Sequence, residues 1–476
     1  MKFRILRNQT FAFIFTIICL MGHAQNKEIN ILSINDMHAQ IDNFPKFIAL
    51  LDSMRTLYPD LLLFSAGDNR TGNPANDMHE ISSFPMITLM NRANFNLSAV
   101  GNHEFDGNIA GIRTMLNKSN FRYVSANIIH PDSLRLHIEP YRFFEIDGIT
   151  IAVLGIIQQG INGLPDSHPD NLKNITFLPM EKSIEKYSWL RNHCDIFILL
   201  IHEGYEESIE LAQQFPFFDM IISGHSHTPV KTTEIHNGVL ITQAESGIKY
   251  VTHSTLKLTD KKITNKEAYL LNIRDFSHGN SEVQAIVDIF NNDESLLRVV
   301  TQVITDFENY EELGCMMTDA IRFETNADLA LQNPGGVRFH TFPKGPITVR
   351  DIYRLDPFNN NVIEFELTGA EFLLLIEAAY NAESKQPPYI SGATYDIEID
   401  KNAQIKKIDI KMSDGTKFDI KRKYKVVLNS YLSAVSKYEK ADPGKDTHRT
   451  SASMTIEYLE KQKSIDYNGV KRVFVK

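Results

Sequence analysis

The chain has 476 residues, 43% of them apolar and 23% charged, an ordinary globular composition whose length favours two or more domains over one. A formal charge of −10 argues against a polyanionic partner such as a nucleic acid polymer. The three cysteines, Cys19, Cys194 and Cys315, stand in no CxxC arrangement, so neither a zinc knuckle nor a disulfide framework is expected and any metal must be held by His, Asp and Asn.

The chain opens with Lys2, Arg4 and Arg7, an apolar run from Phe11 to Met21 and the small-residue site Gly22-His23-Ala24. That order predicts a signal peptide over residues 1–24, hence export to the periplasm or the extracellular space. The apolar run is too short to span a bilayer, which needs about 20 residues, so no transmembrane segment is expected after cleavage. Cys19 follows Ile18, where a lipoprotein site usually wants a small residue. Loss of the leader removes three basic residues and no acidic one, so the charge of −10 becomes −13.

From Glu28 to about Leu256 short apolar runs recur (INILSI, LLLFSA, LSAV, ITIAVLGII, DIFILLI, DMIIS, VLITQ), several separated by helix-like stretches such as FPKFIALLDSMRTL. That rhythm predicts an α/β layered domain with a buried sheet. The polar stretch TDKKITNKEAYLLNIRDFSHGN and an expected helix from Ser281 to about Ile304 read as the interdomain connection. A second block, from about Thr305 to the end, mixes helix-like FLLLIEAAY with strand-like VIEFEL, KIDIKM and KYKVVLN, which predicts a separate α+β domain. The expected division is residues 26–275, a linker helix over 276–304, and 305–476.

Five short motifs stand at the ends of expected strands: NDMH at 35–38, GD at 67–68, GNHEFD at 101–106, IHEG at 201–204 and GHSH at 224–227. Open α/β sheets build their sites at strand ends. Asp36, His38, Asp68, Asn102, His202, His225 and His227 together supply carboxylate, imidazole and amide oxygen donors suited to divalent transition metals. Seven donors suggest two ions, and a pair of ions needs a bridging carboxylate, for which Asp68 is the candidate. Gly67, Gly101, Gly204 and Gly224 read as turn residues that let the neighbouring side chains point into the site.

In this order the motifs resemble those of the calcineurin-like metallophosphoesterases. The resemblance implies a four-layer α/β/β/α domain with Asp36, His38 and His227 on one ion, Asn102, His202 and His225 on the other, and Asp68 shared. The cofactors would be two divalent ions, zinc, manganese or similar. No ligand position of the pattern is missing. It also makes His103 and Asp106 the catalytic pair, an imidazole at the phosphate or leaving group oriented by a carboxylate. Other histidines, among them His23, His79 and His130, match no motif.

ADLALQNPGGVR (327–338) and GPITVRDIYRLDPFNNNVIEFELTGAEF (345–372) resemble the C-terminal domain of 5′-nucleotidases. That resemblance implies a small-molecule nucleotide substrate, with Asn333, Gly335 and Arg338 lining its cleft and Phe358 and Tyr431 as the rings that hold the base. The chain departs from the pattern after Tyr431: SAVSKYEKADPGKD puts Lys437 where the family has a ribose-binding aspartate, leaving Asp442 or Asp446 as substitutes. The expected activity is hydrolysis of nucleoside 5′-monophosphates to nucleoside and phosphate, with Ser281–Ile304 as a hinge. Hydrolysis of 2′,3′-cyclic nucleotides, nucleotide sugars or a sulfur ester on the same scaffold stays open, as does a nucleotide-binding protein without catalysis.

Overall fold

The structure, a computed structural model, describes residues 26–160 and 163–476; the expected leader lies outside the described residues. Strands Asn26–Ile34, Leu62–Ser65, Leu97–Ala99 and Arg122–Val124 run parallel at the centre of a seven-stranded sheet. A second sheet of six strands carries Ile149–Ile157, Ile196–His202, Met220–Ile222 and Val239–Thr242 in parallel. Parallel strands buried on both faces read as continuous apolar runs, and each of the seven runs singled out in the sequence is a strand.

The two sheets face each other across a core that joins Ile29, Ile31 and Phe64 to Val153, Ile198, Leu200 and Ile222. Helices cover both outer faces: Phe44–Leu57 buries Phe47, Ile48 and Leu51 against the first sheet, and Tyr205–Gln214 buries Leu211 and Ala212 against the second. This is the expected α/β/β/α layering. Strand ends of both sheets converge on one rim, where the five motifs lie.

Two expectations change. The polar stretch after Leu258 is not a connection: Lys262–Asn272 pairs antiparallel with Tyr250–Thr259 and forms the edge of the first sheet. An edge strand is solvated on one side and tolerates such charge, which hid it from an apolar-run reading. The linker helix ends at Asn291, not near Ile304. Asn291, Asn292 and Asp293 favour caps over helix interiors, the Asp293 side chain caps a further turn, Glu294–Leu297, and Val299–Val303 is a strand paired with Gly345–Thr348. Val283 and Val287 tie the linker helix to the first domain core.

The second domain holds a five-stranded sheet in the order Tyr389–Ser391, Leu329–Gln332, Lys423–Asn429, Asn361–Thr368, Lys445–Thr450. A three-stranded sheet of Ile405–Met412, Ala393–Ile399 and Val473–Val475 lies beside it. Thr368-Gly-Ala-Glu371 forms a capping box that starts helix Gly369–Ala382, the residue pattern that satisfies two helix-end N–H groups reciprocally. Helix Tyr310–Thr325 and helix Ser451–Glu460 pack together on the other side. Among the described residues no helix is long and apolar enough to cross a membrane.

Candidate active site

All seven predicted metal donors meet at the rim. Asp36, His38 and His227 form one group whose ligand atoms lie within 4.8 Å of one another, and Asp68, His202 and His225 form another. Asp68 also groups with His38 and His103, so it stands between the two sets. The Asn102 side-chain oxygen lies 3.2 Å from His225 Nδ1, with its amide nitrogen turned away to donate to the Asp166 carbonyl at 3.0 Å.

For several donors the fold commits one side and frees the other. His202 Nδ1 lies 2.7 Å from the Ala66 carbonyl and His38 Nδ1 lies 3.0 Å from that of Thr71, which leaves each Nε2 for the site. Asp36 Oδ2 accepts the backbone N–H of His225 at 2.9 Å and the Asn35 amide at 2.6 Å, whereas Asp36 Oδ1 and His202 Nε2 are buried with no hydrogen-bond partner. His38 Nε2 and His227 Nε2 face each other at 3.1 Å. Buried polar atoms without partners are rare, and imidazoles anchored through one nitrogen with the other pointing inward are the usual arrangement around a metal. These residues fit a divalent ion site.

Electrostatics follow from the packing. Burial opposes ionisation of Asp36, but His227 and His202 outweigh it and hold the carboxyl well below the usual carboxylate range. For His202, burial disfavours the charged ring, yet Asp68 and Asp36 push its pKa up to about 10. His225, where burial dominates and His202 repels, is pushed down to about 4.

His103 lies beside the donors, its Nδ1 2.7 Å from Asp106 Oδ2 and its Nε2 3.9 Å from Asp68 Oδ2. Burial lowers its proton affinity, but Asp68 and Asp106 raise it by more. The two proposed partners therefore do meet.

Asp36, His38, Asp68, His225 and His227 all have positive φ, from 46° to 77°. Of the four motif glycines, Gly67 and Gly204 also take positive φ and act as turn residues. Gly101 and Gly224 do not; a Cβ would lie 2.2 Å from Asp68 Oδ1 at the first and 2.8 Å from His202 Nδ1 at the second, so both are required for space.

From the second domain, Arg338 Nη2 comes within 3.3 Å of His38 Nε2, and the Phe358 ring stacks on His103 with centroids 5.6 Å apart and planes at 26°. Arg338 also lies over the Phe358 ring, 5.7 Å from its centroid. Tyr431 is half-buried near Glu383, Asp166 and Asp106. Asn333 is buried and accepts the Asn429 amide at 2.8 Å. Gly335 is approached by a protein group: its N–H donates to Glu383 Oε2 at 3.1 Å. Lys437, Asp442 and Asp446 are engaged elsewhere, Lys437 donating to the Ala434 carbonyl, Asp442 accepting from Glu366 N and Gly444 N, and Asp446 from Asn361 and His448 N.

Three residues of this region escaped the sequence reading. Glu104, fully buried inside GNHEFD, accepts the N–H groups of Asp68, Asn69 and Gly101 at 2.9, 2.8 and 2.6 Å and so shapes the Asp68 turn. Asp166 lies 3.6 Å from His225 Nε2. Glu383 follows helix Gly369–Ala382. Only Glu104 carried a signal, its place within a ligand motif.

Known proteins share this fold and domain order. Residues 29–229 match the calcineurin-like phosphoesterase model and residues 299–438 the 5′-nucleotidase C-terminal domain. A 5′-nucleotidase of Vibrio parahaemolyticus is 25% identical over 88% of this chain and 84% of its own. Endonuclease YhcR of Bacillus subtilis is 26% identical over 86% of this chain, which spans only 37% of that protein. The crystal structure of a 5′-nucleotidase precursor from Thermus thermophilus superposes with a TM-score of 0.83 at 22% identity, covering 94% of this chain and 99% of the other, which bears on the fold alone. With both domain models matched in order and the donor set complete, the chain belongs to the 5′-nucleotidase family of calcineurin-like phosphoesterases and is a metal-dependent phosphoester hydrolase.

Proposed function

We propose that this chain is an exported 5′-nucleotidase that uses two divalent ions to release phosphate from nucleoside 5′-monophosphates. The observation that supports the reading most is the meeting of the domains at one point, Phe358 against His103 and Arg338 beside His38. A nucleotide gripped by the second domain there has its phosphate at the donor set of the first.

In this reading Asp36, His38 and His227 hold one ion, Asn102, His202 and His225 the other, and Asp68 serves both. Bound divalent ions supply charge neutralisation at the phosphoryl oxygens and a water of lowered pKa. The chain's own groups do the rest. His103, fixed at Nδ1 by Asp106, carries a proton on Nε2 and passes it to the departing alkoxide oxygen. The Arg338 guanidinium holds phosphate oxygens, and Phe358 and Tyr431 flank the base. The basic, apolar and small segments of residues 2–24 support export, which N-terminal sequencing of the protein recovered outside the cytoplasm would test. Hinge motion between the domains pivots at the linker after Ser281; identical small-angle scattering with and without a bound nucleotide analogue would count against it.

Phosphate release from a panel of AMP, other 5′-monophosphates, 2′,3′-cyclic AMP, UDP-glucose, sugar phosphates and an aryl phosphate tests the reading, with Asp68→Asn as the blank. Preference for the 5′-monophosphates is expected. Comparable rates on all, or activity on the aryl ester alone, would sink the nucleotide part of it.

A further inference from the structure

Glu383 is a charged group of the interdomain cleft that the roles above leave unused. Its side chain is half-buried directly after helix Gly369–Ala382. Its carboxylate accepts the Gly335 N–H at 3.1 Å and a hydrogen bond from the Asn333 amide. Among the described residues no lysine, arginine or histidine opposes it; the charged group that bears on it is Asp166, itself an acid from the other domain. A Cβ on Gly335 would lie 3.0 Å from Glu383 Oε2, so the turn that leads to Arg338 is shaped to admit this carboxylate.

A carboxylate without a counter-ion, half withdrawn from water, is costly unless donors reach it. When ionised it accepts only, at two oxygens with spare lone pairs. The carboxylate itself repels phosphate, so the part of a ligand that belongs here is neutral and rich in hydroxyl or N–H donors. Arg338, three residues beyond Gly335, stands at the phosphate end by His38, and Tyr431, which senses the Glu383 charge, stands at the ring end. Between phosphate and base a nucleotide offers its sugar, whose vicinal hydroxyls match the two oxygens of a carboxylate.

We infer that Glu383 binds the 2′,3′-diol of a ribonucleotide and sets the preference of this site for ribose over deoxyribose. The inference rests on the nucleotidase reading. It does not involve Lys437, Asp442 or Asp446, whose polar atoms are engaged elsewhere.

The test is steady-state kinetics of the metal-loaded full chain on AMP, GMP, 2′-deoxy-AMP and an aryl phosphate, comparing wild type with Glu383→Gln and Glu383→Asp. Gln keeps an acceptor for the Gly335 N–H, and the aryl ester, which carries no sugar, reports on the metal centre in every variant. Wild type should favour AMP over 2′-deoxy-AMP in kcat/KM. Glu383→Gln should raise KM for AMP about tenfold, the scale of one charged hydrogen bond, and abolish the preference, with Glu383→Asp restoring part of it. An unchanged preference in Glu383→Gln, an equal loss on both adenine nucleotides, or a loss that follows the base rather than the sugar would overturn the inference. If wild type hydrolyses the aryl ester but no nucleotide, the nucleotidase reading falls and takes this one with it; nucleotide hydrolysis without the sugar effect overturns this one alone.

Discussion

Asp106 reaches His103 with one carboxylate oxygen, 2.7 Å from Nδ1, and receives the Ser167 hydroxyl on the other at 3.3 Å. The imidazole is thereby held with Nε2 toward the donor set. Asp106→Asn should lower kcat on AMP about 10- to 100-fold, less than the roughly 10²–10⁴-fold of losing a general acid outright, because the His103 ring remains. An aryl phosphate, whose phenolate leaves without a proton, should lose much less. Equal losses on the two esters would assign Asp106 a different role.

Chelation should abolish phosphate release and leave the secondary structure intact. The donors are held by the fold itself: Asp36 Oδ2 accepts the His225 N–H, and His202 and His38 are anchored through Nδ1 at the carbonyls of Ala66 and Thr71. Far-UV circular dichroism before and after chelator should superimpose, the melting temperature should fall because ligands stabilise the state they bind, and added zinc or manganese should restore turnover. Unfolding on chelation would show that the ions hold the rim together.

Glu104→Ala should destabilise the protein by about 3–5 kcal/mol, the lower half of the roughly 3–9 kcal/mol expected when three buried N–H groups lose their acceptor at about 1–3 kcal/mol each. Glu104→Gln should fall between, keeping one oxygen. Urea midpoints measure the first effect. A metal titration should show weaker binding in both variants, since the Asp68 turn hangs on this carboxylate.

Asp356, buried beneath the Phe358 loop, accepts the Ser451 hydroxyl and the Phe358 N–H. Burial pushes its pKa up to about 6 from an ordinary 3.8. A raised folded-state pKa gives stability that is complete below about 4 and lost as the pH rises through about 6. Relative to Asp356→Asn, wild type should therefore gain roughly 3 kcal/mol between pH 7.5 and pH 4, at 1.36 kcal/mol per unit. Parallel stability curves for the two proteins would contradict this.

The ligand motifs were legible because metal chemistry restricts residue type at each position and because the buried strands before them are continuous apolar runs. Asp36, Asp68, Asn102, His202 and His225 each follow or end such a run. Lys262–Asn272 was not legible: an edge strand that fully buries Ala268 alone shows no apolar run, and its charged residues read as part of the interdomain connection. Asp166 and Glu383 sit in a loop and at a helix end, where no periodicity marks a residue, and only the docking of the two domains brings them to one cleft. The polar groups near Tyr431 illustrate the same limit, since sequence offered Asp442 and Asp446 for a task from which the fold turns them away.

The left-handed backbone at Asp36, His38, Asp68, His225 and His227 bears on how an inert form of the protein should be made for trapping a bound nucleotide. Alanine at these positions would lose the donor and still carry a backbone that costs an L-residue about 1–2 kcal/mol, with nothing left to hold it. Asparagine tolerates that conformation far better. Asp36→Asn and Asp68→Asn are therefore the substitutions most apt to silence the chemistry while keeping the rim in shape.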